Sequence, residues 1–480
     1  MNLKLTAPID TWDEALPLGN GLQGALLWGA GGTLRISLDR GDLWDERPAP
    51  GNPLAGFTYA KMARLVADGD NASIVEIADG AGRANHPTKI PAGRIEIKLA
   101  EGSDVLEFSL DLPSATARMA TASGADVEAF FSATHPVMLL RISGAEPRQL
   151  RILAPESVKK LGYPEPEVGH DESLRWFVQA TAEGSRYCVL LGTRRVGDAT
   201  LVATTVTFSQ ADGDDVVGMA RERVQAALDA GYDQLHADHL MWWRDFWALS
   251  SVRVPDEQVM LHYQLVQYFY GSASRRGAPP IPLQGVWTAD AGELPPWKGD
   301  YHHDLNTQMT YMAYQVAGRF DAGLSFLEFM HQLLPAFRKY SKEFYEAPGA
   351  AVPGVMSLAG QALGGWAQYS LSPVHGAWVG HLYYLHWRHT RDLNFLREIA
   401  YPWCREIGET LRSLLKPNAD GVLVMPVSAS PEAWNRDMRS WVTPNSNYDI
   451  ACLRMLFLGI AEMAELLEDT TASKEWVQLA

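Results

Sequence analysis

The stretch TLVATTVTFSQADGDDVVGMARERVQAALDA, residues 200–230, marks a change in the pattern of the chain. Its first part, 200–208, is rich in β-branched residues with apolar alternation, which is typical of a strand. After a short turn, Val217 and Val224 recur at helical spacing, and Asp214 and Asp215 stand where a helix cap is favoured. The sequence therefore predicts a β-rich part up to residue 212 and a helical part beyond it.

Upstream of this stretch the chain mostly keeps a period of two. Three segments show it most clearly, with apolar residues at alternate positions: Leu34, Ile36 and Leu38; Ile95, Ile97 and Leu99; Leu106, Phe108 and Leu110. Short alternating strands separated by Gly, Asp, Pro and Ser turns predict an antiparallel β-sandwich over residues 1–212. Residues 57–78 instead follow the helical period and predict a helical interruption.

Downstream, residues 213–254 predict a helical linker, and 255–480 predict a helical domain. Apolar spacings of three and four indicate six helices in that domain: 259–270, 304–319, 321–346, 376–391, 396–414 and 450–464. Long loops separate them: 272–303, 347–375 and 418–446. Loops of that length inside a compact domain are usually functional.

Composition excludes several classes of function. The 480 residues include 41 Lys and Arg against 57 Asp and Glu, a net charge of −16. Nucleic acid and anionic membranes bind clustered cations, so neither is expected as the main partner. We find no membrane-spanning run and no signal-peptide pattern, and we expect a cytoplasmic protein. Three scattered cysteines and no phosphate-binding glycine loop predict neither disulfides nor a bound cofactor.

Aromatic residues are plentiful in the Gly- and Pro-rich loops: the chain has 16 Trp, 17 Tyr and 15 Phe. Flat apolar rings at a polar surface can stack on sugar rings. For any single Trp, packing between elements is the more frequent explanation.

The loop LQGVWTADAGELPPWKGDYHHDLNTQMTY, residues 283–311, holds the richest cluster of polar and aromatic groups. Its candidates are Trp287, Trp297, His302, His303, Asp304, Asn306 and Gln308. Donors, acceptors and flat rings together suit a polyol ligand. Alternatively, Asp304 is the N-cap of the helix that follows. The interpretation of His302, His303 and Asp304 as a metal site is weakly supported, because adjacent histidines rarely point the same way. We therefore expect no metal.

Two further segments carry candidates. MPVSASPEAWN, residues 425–435, presents Glu432 near Trp434, where partial desolvation would suit a general acid; a solvated loop glutamate is the alternative. HGAWVGHLYYLHWRH, residues 375–389, places Trp378 and His381 on one helical face, with core packing as the alternative.

Four motifs occur in the order of a known family: WDEALPLGNGLQGALLWG at 12–29, the motif at 283–311, GAW..HLY…FLREIAYPW at 376–403, and SASPE at 428–432. Together they resemble glycoside hydrolase family 95, the α-L-fucosidases with some α-L-galactosidases. The resemblance covers nearly the whole chain. It implies a β-super-sandwich, a helical linker and an (α/α)6 barrel with the active site in its mouth.

The resemblance also implies inversion at the anomeric carbon. It makes Glu432 the general acid, and it matches His302 to a sugar-contacting histidine and Asn306 to one of two water-activating asparagines. The other asparagine of the family is Asp304 here. Because an ionised carboxylate accepts a proton from water directly, Asp304 can act as a conventional base, or it signals a different sugar.

The expected function is therefore hydrolysis of a terminal α-L-fucoside or related sugar in an oligosaccharide. His302, Trp287, Trp297, Trp378, His381 and Trp434 would hold the sugar. The alternatives are a same-fold hydrolase for another glycoside such as an α-L-galactoside, a phosphorylase, and an inactive sugar-binding protein. An (α/α)6 barrel contains twelve helices, so we expect the six predicted here to be the N-terminal part of one. An exposed half-barrel face would favour a homodimer.

Overall fold

The structure is a computed structural model that describes residues 2–211, 213–430, 433–434, 437–442 and 445–480. It divides into two compact units. The sheet unit comprises Met1–Asp45 and Thr88–Gly299, and the helical unit comprises Glu46–Pro87 and Asp300–Ala480. The boundaries predicted at 212 and 255 follow changes of secondary structure, and they stay a prediction.

The strands, in chain order, are β1 (Asn2–Thr6), β2 (Leu16–Gly19), β3 (Gln23–Ala30), β4 (Thr33–Arg40), β5 (Trp44–Asp45), β6 (Thr88–Lys89), β7 (Gly93–Lys98), β8 (Val105–Asp111), β9 (Thr116–Thr121), β10 (Asp126–Phe131), β11 (Met138–Ser143), β12 (Gln149–Leu153), β13 (Glu167–His170), β14 (Leu174–Ala180), β15 (Arg186–Val196), β16 (Ala199–Ser209), β17 (Tyr301–His302), β18 (Val355–Met356), β19 (Lys416–Pro417), β20 (Leu423–Val424), β21 (Ser428–Ala429) and β22 (Trp441–Val442).

The α-helices are α1 (Tyr59–Ala67), α2 (Asn71–Gly82), α3 (Val216–Ala230), α4 (Tyr232–Ala248), α5 (Glu257–Ala273), α6 (Asn306–Thr310), α7 (Phe320–Gln332), α8 (Leu334–Tyr340), α9 (Ala367–Ser370), α10 (His375–Thr390), α11 (Leu393–Phe395), α12 (Tyr401–Leu414), α13 (Asn447–Leu466) and α14 (Thr470–Leu479). No helix in the described part of the chain is long and apolar enough to cross a bilayer. The predicted cytoplasmic location stays a prediction.

Two large antiparallel sheets form most of the sheet unit, and β5 pairs with β6 in a small additional sheet. Within the described residues, one large sheet has nine strands in the order β1-β8-β9-β10-β11-β16-β15-β14-β13, and the other has five in the order β12-β7-β4-β3-β2. Ile36 and Ile95 of the smaller sheet and Phe108 and Val127 of the larger one belong to a single buried core. The predicted sandwich is therefore confirmed, since the period of two places these side chains on facing sheet surfaces.

Leu106 is the exception among the predicted inward-facing residues. It is 54% exposed, whereas Phe108 and Leu110 are buried. The pairing of β8 with β9 shifts register between Val105 and Glu107. Because an irregularity of this kind reverses the facing of a side chain, Leu106 turns outward.

Helices α3 and α4 cover the second face of the larger sheet. Val216, Val224 and Leu235 form a core with Phe130 and Leu190 of the strands. Asp215 caps α3, and its carboxylate accepts the Gly218 N–H at 2.7 Å. The predicted helix start is therefore confirmed.

In the helical unit, α10 packs against α12 and α13, and the predicted interruption near 57–78 becomes α1 and α2. The single helix predicted over 304–319 is wrong, because α6 ends at Thr310. Tertiary packing overrides the helical spacing there: Tyr311 stacks on Phe326 with ring centroids 4.7 Å apart, and Tyr314 bonds to His386. The helix predicted at 321–346 is likewise broken into α7, α8 and a π-turn at Ser341–Tyr345.

Candidate active site

A short backbone ladder fixes the segment with the most candidate groups. Strand β17 pairs with β18, so that Tyr301 lies opposite Met356 and His302 opposite Val355. The next N–H, of His303, donates to the Gly354 carbonyl at 2.7 Å. This pairing sets the direction of each side chain from 300 to 304, because successive strand residues point to opposite sides.

His302 lies between two carboxylates. Its Nδ1 is 3.2 Å from an oxygen of Asp300, and its Nε2 is 3.4 Å from an oxygen of Asp304. Both acids are buried, with exposed fractions of 2% for Asp300 and 5% for Asp304. A neutral imidazole has one N–H and can serve one of them, whereas an imidazolium donates to both. The arrangement therefore places two buried acids within contact distance of one ring.

Asp304 is not a helix cap. Helix α6 begins at Asn306, its N-cap residue is Leu305, and no side chain caps it. The capping explanation for Asp304 is therefore wrong. Asn306, at the first position of α6, has an exposed side chain.

Two neighbouring histidines are buried and neutral. Nδ1 of His303 lies 3.1 Å from the Pro353 carbonyl, and Nε2 of His375 lies 2.5 Å from the Tyr369 carbonyl. Burial lowers the pKa of His303 to about 3 and that of His375 to about 4. His302 and His303 thus face different partners. No group of three His, Cys, Asp or Glu among the described residues is arranged to hold a metal ion.

Trp378 and His381 share α10 but have different neighbours. The Trp378 ring lies 6.2 Å from that of Tyr448, whose hydroxyl is 3.2 Å from Nδ1 of His375. The His381 ring stacks on Tyr384 at 5.9 Å, one turn further along the helix. The contacts thus connect Trp378, and not His381, to the buried His375.

Trp287 and Trp297 belong to the sheet unit. The indole N–H of Trp287 donates to the Leu18 carbonyl at 2.8 Å, and its ring lies 5.5 Å from that of Phe269. Trp287 thereby fastens its loop to the sandwich. Trp297 is 56% exposed, with a left-handed φ of 54°.

We define the acid loop as residues 425–442. The proposed acid, Glu432, lies outside the described residues. Trp434 is 55% exposed, and the guanidinium of Arg439 lies 6.0 Å from its ring. Strands β21 and β22 close the loop, pairing Ser428 with Val442 and Ala429 with Trp441.

Sequence reasoning missed three groups near these candidates: Asp300, Tyr448 and Asp449. A signal existed for Asp449, because Ser446 and Asp449 have the spacing of a capping box, and the structure shows one at the start of α13. Asp449 is buried and also accepts the Ser428 hydroxyl of the acid loop. Asp300 and Tyr448 lack a comparable sequence pattern, since their positions depend on the pairing of distant segments.

Two family models and several known proteins match parts of this chain. Residues 247–479 match the glycosyl hydrolase family 95 catalytic domain, and residues 3–218 match the glycosyl hydrolase family 65 N-terminal domain. The chain is 24% identical to "Alpha-L-fucosidase 2" of Arabidopsis thaliana over 98% of its own length, and this match spans 66% of the plant protein. It is 29% identical to "Probable alpha-fucosidase A" of Aspergillus niger over 38% of its length, which is 24% of the fungal protein.

A solved structure assigned as a kojibiose phosphorylase from the human microbiome has a similar fold. Its TM-score is 0.68 at 11% identity, covering 99% of this chain and 68% of that one. At that identity the likeness concerns the fold alone.

These matches define the class of protein: the chain carries the catalytic domain of a glycoside hydrolase. Residues 247–479 match the catalytic domain of family 95 of those enzymes, and the resemblance to that family stated from the sequence is confirmed.

Proposed function

We propose that the protein is an inverting glycoside hydrolase that removes a terminal α-L-fucosyl residue, or a closely related sugar, from oligosaccharides. One observation carries the proposal: inside the family 95 match, the buried Asp304 carboxylate contacts one nitrogen of His302, and the other nitrogen contacts the second buried acid, Asp300. A buried carboxylate next to an ionisable ring is a typical catalytic arrangement. The names of the fucosidase relatives support the choice of sugar.

In the proposed mechanism, Glu432 protonates the glycosidic oxygen as the bond to the anomeric carbon breaks. Asp304 takes a proton from a water that Asn306 orients, and the oxygen of that water bonds to the opposite face of the same carbon. An inverting pair of this kind stands roughly 6.5–9.5 Å apart, which leaves room for one water. The proton lost by Glu432 and the proton gained by Asp304 balance over a turnover.

The remaining candidates complete the proposal. His302 contacts the sugar, and Trp287, Trp297, Trp378, His381 and Trp434 supply stacking faces and donors. We propose that the helices after residue 255 belong to an (α/α)6 barrel that follows a sandwich and a linker. A homodimer is part of the proposal, and light scattering would measure it.

The decisive test is Glu432→Gln. We expect hydrolysis of an alkyl α-L-fucoside to fall by about 10²–10⁴-fold, because an amide cannot donate the proton that the leaving alcohol needs. Proton NMR of the wild-type reaction should show the β-anomer of the sugar first. Near wild-type turnover by the variant, or first release of the α-anomer, would reject the proposal.

A panel of aryl glycosides separates the possible sugars. Fucoside and galactoside differ by one hydroxyl on the terminal carbon, so kcat/KM on the two α-L-glycosides identifies the better fit. Cleavage that requires phosphate would identify a phosphorylase instead. Binding without turnover over a long incubation would identify an inactive sugar-binding protein.

A further inference from the structure

We propose that Tyr59 and Asn71 are positioning residues for the acid loop, although both lie outside the family 95 match and inside the family 65 one. The inference rests on the proposed function, because it takes Glu432 of this loop as the general acid. It assigns a role in the reaction to Glu46–Pro87, the segment that interrupts the sheet unit and belongs to the helical unit.

Tyr59 holds the backbone of the acid loop at two points. Its hydroxyl donates to the Val427 carbonyl at 2.5 Å and accepts the Val427 N–H at 3.0 Å. Both partners are buried. One hydroxyl thus satisfies both backbone groups of a residue that lies outside the described strands and helices.

Asn71 holds the other side of the loop. Its Oδ1 accepts the indole N–H of Trp441 at 2.8 Å. Trp441 pairs with Ala429 across β21 and β22, so this contact fixes the return strand of the loop. Tyr59 thereby holds the residue just before β21, and Asn71 holds β22, the strand that pairs with β21.

A second set of contacts fastens the same loop from α13. The Ser428 hydroxyl donates to Asp449, and the Met425 N–H donates to Oδ1 of Asn445 at 2.6 Å. The loop is therefore hydrogen-bonded both to the start of α13 with the segment just before it and to α1 and α2. The contacts of Asp449 and Asn445 hold the segment that enters the loop, and those of Tyr59 and Asn71 reach both that segment and the return strand.

The segment 46–87 is itself firmly attached within the helical unit. The Glu46 carboxylate accepts the Ser357 hydroxyl at 2.6 Å and the Ala359 N–H at 2.9 Å. A Cβ on Gly82 would lie 2.7 Å from the Gly365 Cα. The end of α2 therefore approaches the loop at 347–375 at a distance that only glycine permits. Because the segment is held at both ends, Tyr59 and Asn71 are fixed in place, and they fix Val427 and Trp441 in turn.

The consequence concerns one step of the reaction. A general acid assists departure of the leaving group, so displacing it slows poor leaving groups more than good ones. A role in stability alone would lower all activities by the same factor.

The test is Tyr59→Phe, which removes one oxygen and keeps the ring against Tyr345, 5.5 Å away. We expect kcat on an alkyl α-L-fucoside to fall about 10-fold or more, because small displacements of a catalytic group are costly. On nitrophenyl α-L-fucoside, whose leaving group needs little protonation, kcat should change little. Amide hydrogen exchange at 425–430 should also rise.

Tyr383→Phe is the matched control. Tyr383 is a buried tyrosine of the same unit, and its hydroxyl donates to the Leu327 carbonyl at 2.6 Å. This variant should change kcat on both substrates by the same factor and leave amide hydrogen exchange at 425–430 unchanged.

The outcomes separate the two proposals. If Glu432→Gln keeps its activity on alkyl fucosides, the proposed function is wrong. If Glu432→Gln is inactive while Tyr59→Phe lowers kcat on both substrates by the same factor, only the positioning role is overturned. Unchanged hydrogen exchange at 425–430 in Tyr59→Phe also overturns it, whatever the activity.

Discussion

At the scale of single residues, the main feature is an imidazole with an acid at each nitrogen. Asp300 and Asp304 flank His302, and both are buried. Two anions held beside one ring repel each other unless the ring carries a proton. The state of His302 and the readiness of Asp304 to accept a proton are therefore coupled.

Asp304→Asn tests the role of the carboxylate. We expect kcat to fall by about 10²–10⁴-fold on both alkyl and nitrophenyl fucosides, because water must be deprotonated in either case. This equal loss distinguishes a base from an acid. Activity retained in the variant would show that Asp304 merely replaces the amide of the family.

Asp300→Asn tests the coupling. Without this anion His302 holds a proton less readily. Asp304 then lacks a neighbouring cation and is protonated more readily. We expect the acidic limb of the kcat profile to move to higher pH. Asp420→Asn removes an exposed charge in the same unit and should leave the limb in place. An unshifted profile in Asp300→Asn would contradict the coupling.

At the scale of elements, an ion pair anchors the loop that carries Trp287. The Lys89 ammonium contacts Asp39, and both side chains are almost fully buried. The second oxygen of Asp39 accepts the Thr288 N–H at 2.8 Å. One buried charge pair therefore joins β4, β6 and the loop after α5.

Lys89→Met should destabilise the protein by about 3–5 kcal/mol, because it leaves the Asp39 charge buried without compensation. Urea unfolding followed by tryptophan fluorescence measures the change. Lys4→Met breaks an exposed pair with Glu107 in the same unit, and we expect a loss of at most about 1 kcal/mol. Adding Asp39→Asn to Lys89→Met should restore part of the stability; no recovery would contradict the charge argument.

Local patterns predicted the elements better than the site. Alternation predicted strands β4, β7 and β8, and Asp215 predicted the start of α3, because these signals lie within a few residues of each other. The sequence predicted that His302 and Asp304 belong to one polar cluster at 283–311, but it did not predict their contact with each other. The contacts of Tyr59 with Val427 and of Asn71 with Trp441 span over 360 positions, and no local spacing encodes them.

At the scale of the whole molecule, buried neutral histidines occur in both units. Burial lowers the pKa of His239 in the sheet unit to about 3, and it acts in the same direction on His303 and His375. Such groups bind protons in the unfolded chain before they do so in the folded one.

Stability should therefore fall as the pH drops below about 6.5, the ordinary histidine pKa, toward the depressed folded values. At pH 5 each of the three histidines should cost about 2 kcal/mol. Burial raises the pKa of Asp39 and of Asp449, which acts in the opposite sense, but burial also lowers the pKa of His386 to about 4, so that the histidines outnumber the carboxylates. Urea unfolding at several pH values measures the slope, and His303→Gln should reduce it. Equal stability at pH 7 and pH 5 would contradict this account.

The attachment of residues 46–87 to the helical unit has a practical consequence for dissecting this protein. A fragment cut to the boundaries of the family 95 match would leave behind Glu46, Tyr59 and Asn71, together with the surfaces of α1 and α2. Exchanging only the family 95 region between relatives would likewise replace the partners of Glu46, Tyr59 and Asn71 and leave these three residues unmatched. The smallest transplantable piece is consequently discontinuous in sequence, and recombination breakpoints belong after residues 45, 87 and 299 rather than near 247.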